Sequence, residues 1–388
     1  MSRRGKAFVV VLGVIVLLVA VLVFRASRHP YPAPELTTEL ERQGKQIFQD
    51  DTFGDEKFWT DTARLHEVVD QEIQPIEALR LGLKVDLDRL NLLQFVLHNP
   101  LATSGTRELL RQNAVVGIRA TFDEDGRLAR LGITCALCHS TVDNALLPGI
   151  GHRLDGWPNT SLELGKILAK LPAFTDSQKA LLIQWPKGTY DPRFNFDGRS
   201  TPLVLPPAYG LADVTNETYT AEGPISYWNA YVAVTQMHGQ GNFSDPRIGV
   251  SIAQEPDLVT PKLEALKAYQ HALKAPPPSG FDEEAAARGR TVFDRVCAAC
   301  HVDGNGTDNN RGVFHDPAET GMDATYAGRT AQRRYRTTPL RGLRHHPPYF
   351  HDGSAATLRD VVLHYDRVRR LGLSEAEQSD IEEYLKSL

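Results

Sequence analysis

The sequence predicts a mainly α-helical protein: two small helical domains with irregular loops and a small β-hairpin, preceded by a transmembrane helix. Three observations carry this. Several stretches space their apolar residues at helical intervals. The phrase Cys-x-x-Cys-His occurs twice, at residues 135–139 and 297–301, and uses all four cysteines. Residues 7–24, AFVVVLGVIVLLVAVLVF, carry no charge.

The chain has 388 residues, room for one large or two to three small domains. A net charge of −5 without a long run of like charge argues against a nucleic-acid partner. As a helix, the apolar run reaches ~27 Å, close to the ~30 Å hydrocarbon core. MSRRGK precedes it, so the positive-inside rule leaves the N-terminus in the cytoplasm and exports the body. FRASRHPYPAPEL offers no clean small-x-small cleavage site. Residues 1–28 therefore read as a retained membrane anchor rather than a cleaved signal, and 29–38 as a Pro-rich stalk. The expected location is the periplasmic face of the inner membrane, or the periplasm if the segment is cleaved.

Next, 39–59 begins as an amphipathic helix, and 76–97 has apolar residues at helical spacing. VVGIRATFDEDGRLARLGITC alternates around Asp125-Gly126, which predicts a hairpin leading into the first Cys-x-x-Cys-His. The second motif follows an Ala-rich helix over 282–296, with Gly289 and Phe293 one turn apart. KAPPPSGF (274–281) is the clearest linker, which divides the body into domains 39–275 and 276–388. No longer repeat is expected to unite the halves beyond the paired motif. VDGNGTDNNRG (302–312) is a polar loop, where calcium is conceivable but a plain turn is the simpler reading. Thr357 with Asp360, and Ser374 with Glu377, are capping boxes that start two C-terminal helices. Ile381, Leu385 and Leu388 line one face of the last helix.

Two thiols three residues apart can reach the two vinyl groups on one edge of haem, and the next histidine turns under the ring to bind iron. A redox dithiol does not need the histidine, and a zinc site needs four ligands in one cluster. Two covalent c-type haems are therefore expected, on Cys135 and Cys138 and on Cys297 and Cys300, with His139 and His301 as proximal iron ligands. The fold class sharpens to two cytochrome c-like haem domains. No cysteine is left for a disulfide.

YRTTPLRGLRHHPPYFHDGSAATLRDVVLHYD (335–366) resembles the C-terminal haem domain of the bacterial di-haem cytochrome c peroxidase superfamily, which includes the MauG-type maturases. GIGHRLDGWPN, FDGRSTPLVLPPAYGL and YWNAYVAVTQMHGQGNFSDPR look closest to its rubber-oxygenase-like branch. The resemblance implies a division of labour: the His139 haem meets the oxidant and the His301 haem relays electrons. It implies His152, in GIGH, as a sixth ligand of the first iron. It implies that the helix after HDGS supplies the sixth ligand of the second. Met serves there in peroxidases, Tyr in maturases and His in rubber oxygenases, which makes His364 the first choice and Tyr365 the second. Adjacent helical residues diverge by ~100°, so only one can reach the iron. Met237 and Met322, the only internal methionines, read as packing or loop residues. Peroxidases carry an inter-haem tryptophan in a WDGR string. This chain reads FDGR, with Phe196, and Trp228 is the expected replacement. Phe243 is the candidate apolar residue over an oxygen-binding iron. The implied function is a peroxidase-type oxidoreductase using hydrogen peroxide or dioxygen, with electrons from a small cytochrome c or cupredoxin. The alternatives are a pure electron-transfer cytochrome, a dioxygenase on an apolar substrate, and a maturase acting on a protein.

Overall fold

Helix α1 (Glu39–Asp50) starts the folded body, closed at its N-terminus by a capping box between Thr38 and Glu41. The structure is a computed structural model and describes residues 29–302 and 306–388. The expected anchor at 7–24 lies outside them. Among the described residues no helix is long and apolar enough to cross a membrane.

The helical apolar spacing over 76–97 falls on separate pieces rather than one continuous helix. A helical turn at Pro75–Arg80 ends before Gly82, a short strand follows at Val85–Asp86, and α2 (Leu92–Leu97) comes last. Gly82 has φ +83°, and a Cβ there would overlap the Ser161 carbonyl, so the chain turns where only glycine fits. After α3 (Thr103–Arg111), β1 (Ile118–Phe122) and β2 (Leu128–Ile133) form the predicted hairpin, with Gly126 at φ +75° in its turn. The first motif follows at once, on the single helical turn α4 (Ala136–His139). Beyond it, β3 (Ser140–Val142) pairs antiparallel with β4 (Arg153–Asp155). The described residues hold five two-stranded sheets where one hairpin is expected, yet helix dominates. Helices α5 (Ile225–Tyr231) and α6 (Leu263–Ala272) complete the first half.

The expected boundary at 275/276 falls in the irregular stretch after α6. Then α7 (Glu283–Val296) leads into the second motif. The predicted capping boxes are present at the starts of α8 (Leu358–Arg369) and α9 (Glu375–Lys386). Of the polar loop, residues 303–305 lie outside the described set. Asn309 and Asn310 donate to the carbonyls of Asn216 and Asp213, so its end is stitched to the first half.

The two halves share one packing device. In α1, a Cβ on Gly44 would overlap the Ala265 carbonyl of α6; in α7, a Cβ on Gly289 would overlap the Asp380 carbonyl of α9. One turn on, Phe48 meets Tyr269 edge-on at 5.5 Å between centroids, and Phe293 meets Tyr384 likewise at 5.1 Å. Glycine lets each helix pair cross at backbone contact, and the aromatic pair locks the crossing. GKQIF (44–48) and GRTVF (289–293) are therefore a second repeat, which corrects the expectation that only the haem motif recurs. In the second half the motif follows its helix directly. In the first half residues 51–133 intervene, and the chain returns when the Thr134 hydroxyl donates to the Gln49 carbonyl at the end of α1.

Candidate haem sites

Local structure presents the first motif as one unit. Cys135 caps α4, Cys138 and His139 lie on it, and the His139 carbonyl accepts from Gly156 N–H at 2.8 Å. The His139 ring approaches the Pro206 carbonyl through Nδ1, at 3.1 Å. A carbonyl only accepts, so Nδ1 carries the proton and Nε2 keeps the lone pair for iron. Burial pushes the imidazole down, with the Pro206 carbonyl opposing, which favours the neutral form a ligand needs. Burial pushes both thiols up to about 12. A redox dithiol needs a lowered thiol, so this environment suits cysteines held as thioethers.

The second motif opens on a cavity of about 280 Å³, lined by Cys297, Cys300, His301, Tyr365, Arg336 and Tyr209 among others. Burial pushes His301 down to about 4. Arg336 is the clearest sign of a missing anion: its Nε and Nη1 are buried without a partner. A buried guanidinium is costly unless an anion meets it, and a haem carboxylate would do so. The residues fit haem. Among the described residues no metal-ligating cluster gathers both cysteine pairs, so the arrangement does not fit zinc.

Pro206, which holds His139, also lines the second cavity together with Pro207, Tyr209 and Gly210. Tyr209 is buried, donates to the Gly342 carbonyl at 3.0 Å, and lies 6.0 Å from the Trp157 ring. Trp157 follows Gly156, whose N–H holds the His139 carbonyl. Two strands of chain thus run from the proximal side of the first site toward the second.

Comparison with known proteins accords with this chemistry. Residues 286–388 match the cytochrome c family model. The methylamine utilization protein MauG of Methylophilus methylotrophus is 26% identical over 323 residues, covering 72% of this chain and 83% of its own. The cytochrome c551 peroxidase of Nitrosomonas europaea is 29% identical over 287 residues, 68% of this chain and 76% of its own. These matches support the di-haem cytochrome c peroxidase/MauG superfamily as the one this chain resembles. It is a haem oxidoreductase with c-type haem as cofactor. A solved structure of a MauG-like protein associated with microbial copper homeostasis aligns over 93% of this chain and 94% of its own, at 15% identity and a TM-score of 0.32, too low to carry argument.

Tyr365 lines the second cavity, whereas His364 turns away and its Nε2 meets the Thr320 carbonyl at 2.9 Å. Neighbours on α8 face different ways, so only Tyr365 of the pair reaches the cavity wall. His152 Nδ1 meets Asp88 Oδ1 at 2.8 Å, and its ring lies against His29. Trp228 stacks on Tyr231 at 5.1 Å, and Phe243 meets the same ring edge-on at 5.3 Å. Both belong to an aromatic cluster against which Cys135 packs. Neither Trp228 nor Trp157 lines the second cavity, but Trp157 meets Tyr209, which does. Met237 is buried in the first half's core, as expected of a packing residue, while Met322 lines the second cavity.

A buried polar cluster had no signal in sequence. Arg193 and Glu222 pair at 2.6 Å, and Glu222 also accepts from Thr220 and from Ala331 N–H. Burial pushes up the nearby Tyr190 phenol, with Tyr231, Cys138, Asp191 and Tyr326 adding to it. Arg329, from the second half, pairs with Asp191 at 2.8 Å and with Asp197, clamping the halves together. These residues are far apart in the chain and none belongs to a short motif.

Proposed function

We propose that this chain carries two c-type haems and reduces hydrogen peroxide or dioxygen at the His139 site, with electrons arriving through the His301 site. The observation that carries this reading is the shared wall: Pro206 holds the His139 imidazole and also lines the His301 cavity. Bound haem would supply an iron that exchanges electrons and, where its sixth position is open, takes up the oxidant. The chain's own residues do the rest. His139, its Nδ1 proton fixed on Pro206, would offer Nε2 to the iron. Cys135 and Cys138 would hold one haem, and Cys297 and Cys300 the other.

Tyr365 faces the cavity that His301 shares and would be the residue that holds bound haem from this helix. Arg336 would meet a haem carboxylate there. Glu222, paired with Arg193, is a buried carboxylate, the residue type that can accept a proton and pass it on. The expected electron donor is a small cytochrome c or cupredoxin. The body works at the periplasmic face of the inner membrane, held by residues 7–24.

The test is a haem count with turnover. Pyridine haemochrome should give two haems per chain, and Cys135→Ala with Cys138→Ala should leave one and abolish peroxide-dependent oxidation of a reduced donor. A wild-type count of one, or full turnover in the double variant, overturns the reading.

A further inference from the structure

We propose that α2 and the loop after it rest in the face of a lipid bilayer, as a second membrane contact beside the anchor. The inference rests on the reading of residues 7–24 as that anchor. Twelve large apolar side chains are exposed among the described residues, and five of them fall within residues 92–101. Leu92, Leu93, Val96, Leu97 and Leu101 are 51 to 74% exposed. Single exposed apolar residues are ordinary, but a concentrated group marks a contact surface. On α2 these side chains stand at i, i+1, i+4 and i+5, one side of a helix. Phe95 turns the other way and packs on the core, so α2 is docked by its inner face and offers its outer one.

Two further observations choose lipid as the occupant. An open depression at the end of α2 is lined by His98, Arg107, Arg111 and Arg127, with Glu108 and Asp125. Each guanidinium has a carboxylate beside it, Arg107 with Asp70 at 3.0 Å, Arg111 with Glu108 at 3.8 Å and Arg127 with Asp125 at 3.7 Å, so a charge-balanced polar rim borders the apolar face, the pattern of a side chain layer at the headgroup boundary above hydrocarbon. The place where the chain enters the body agrees. His29 stacks on His152 with centroids 3.6 Å apart, and His152 Nδ1 lies 2.8 Å from Asp88. Asp88 is four residues before Leu92, a reach of at most ~14 Å, and residue 24 is five before His29, at most ~18 Å. The described chain therefore begins, at His29, on the side of the body that carries α2, and a bilayer holding residues 7–24 would come within reach of the exposed leucines.

The experiment uses full-length, haem-loaded protein in vesicles of phosphatidylethanolamine and phosphatidylglycerol. With the native cysteines held as thioethers, Leu93→Cys takes a single spin label, and Glu284→Cys on α7 serves as the water-exposed reference. Collisions with dioxygen, which concentrates in lipid, are compared with those of a water-soluble nickel chelate. The expected result is a Leu93→Cys label several-fold more accessible to dioxygen than to the chelate, with the opposite at Glu284→Cys. A label at 93 as aqueous as the reference overturns the inference. So does one shielded from both reagents, which would mean protein cover by residues 7–24 or a second copy. Carbonate extraction separates the failures. Protein stripped from the vesicles sinks the anchor and this contact together, whereas retained protein with an aqueous label at 93 sinks the contact alone.

Discussion

His139 donates from Nδ1 to the carbonyl of Pro206, 3.1 Å away, and Pro206 is at the same time a wall of the cavity that holds His301. Any movement of that carbonyl is felt by one proximal ligand and by the surroundings of the other. The segment that follows carries Tyr209 into the second cavity, and Trp157 approaches Tyr209 from the far side of the first motif.

Electron delivery between the sites should therefore depend on Trp157. An indole oxidises more readily than a phenyl ring and serves better as a stopping point. Trp157→Phe should slow the transfer by about tenfold, equivalent to ~1.4 kcal/mol of barrier, with both haems retained. Trp228→Phe, in the Tyr231 cluster, should leave the rate unchanged. Stopped-flow reduction by a fast donor checks both, and a slow Trp228→Phe beside a normal Trp157→Phe would return the bridge to α5.

The two glycine crossings make a stability prediction. Gly289→Ala would drive its Cβ into the Asp380 carbonyl, and Gly44→Ala into the Ala265 carbonyl. Overpacking of this kind costs ~1–3 kcal/mol, and it outweighs the ~1 kcal/mol by which alanine favours helix over glycine. Gly328→Ala, where a Cβ meets nothing within 4 Å, should stay within about 0.5 kcal/mol of the parent. Denaturant unfolding of the holoprotein measures all three.

Tyr365→Phe should change the ferric spectrum of the His301 site, because it removes the oxygen that faces the cavity. His364→Ala should leave the spectrum intact and cost only its bond to the Thr320 carbonyl, ~1 kcal/mol. Electron paramagnetic resonance of the two variants decides between them. A low-spin signal lost in His364→Ala alone would restore histidine as the ligand.

His238 gives a pH dependence. Its ring stacks on Phe58 at 3.6 Å between centroids, and burial pushes it down to about 4. The unfolded chain takes up a proton near pH ~6.5 while the folded one does not. Stability is thus full above that value and falls as the pH drops toward 4. His238→Asn removes the titration and keeps a residue that tolerates the φ of +63° found here. The acid side of the stability profile should flatten in this variant. An unchanged slope would show that other groups set it.

The parts of the fold that sequence announces are the ones written in adjacent residues. Both haem motifs, the Asp125-Gly126 turn and the capping boxes at Thr357 and Ser374 each lie within a few positions. The Gly44–Phe48 repeat is equally short, but residues 51–133 separate it from its haem motif, so its likeness to Gly289–Phe293 is hidden until the helices are seen to cross. The break in 76–97 depends on Gly82 meeting Ser161, a contact no periodicity reports. The choice between His364 and Tyr365 turns on one helical step, and the Arg193–Glu222 pair joins segments with no common motif.

The central claim is that the His139 site is an open, reacting one fed by the His301 site. The most direct measurement is the binding of cyanide and carbon monoxide to oxidised, half-reduced and fully reduced protein, followed at each haem by its optical and paramagnetic signature. The account predicts that the His139 haem takes an exogenous ligand in at least one of these states while the His301 haem, closed by Tyr365, takes none. Failure of both haems to bind in every state would contradict it and leave a cytochrome that only carries electrons.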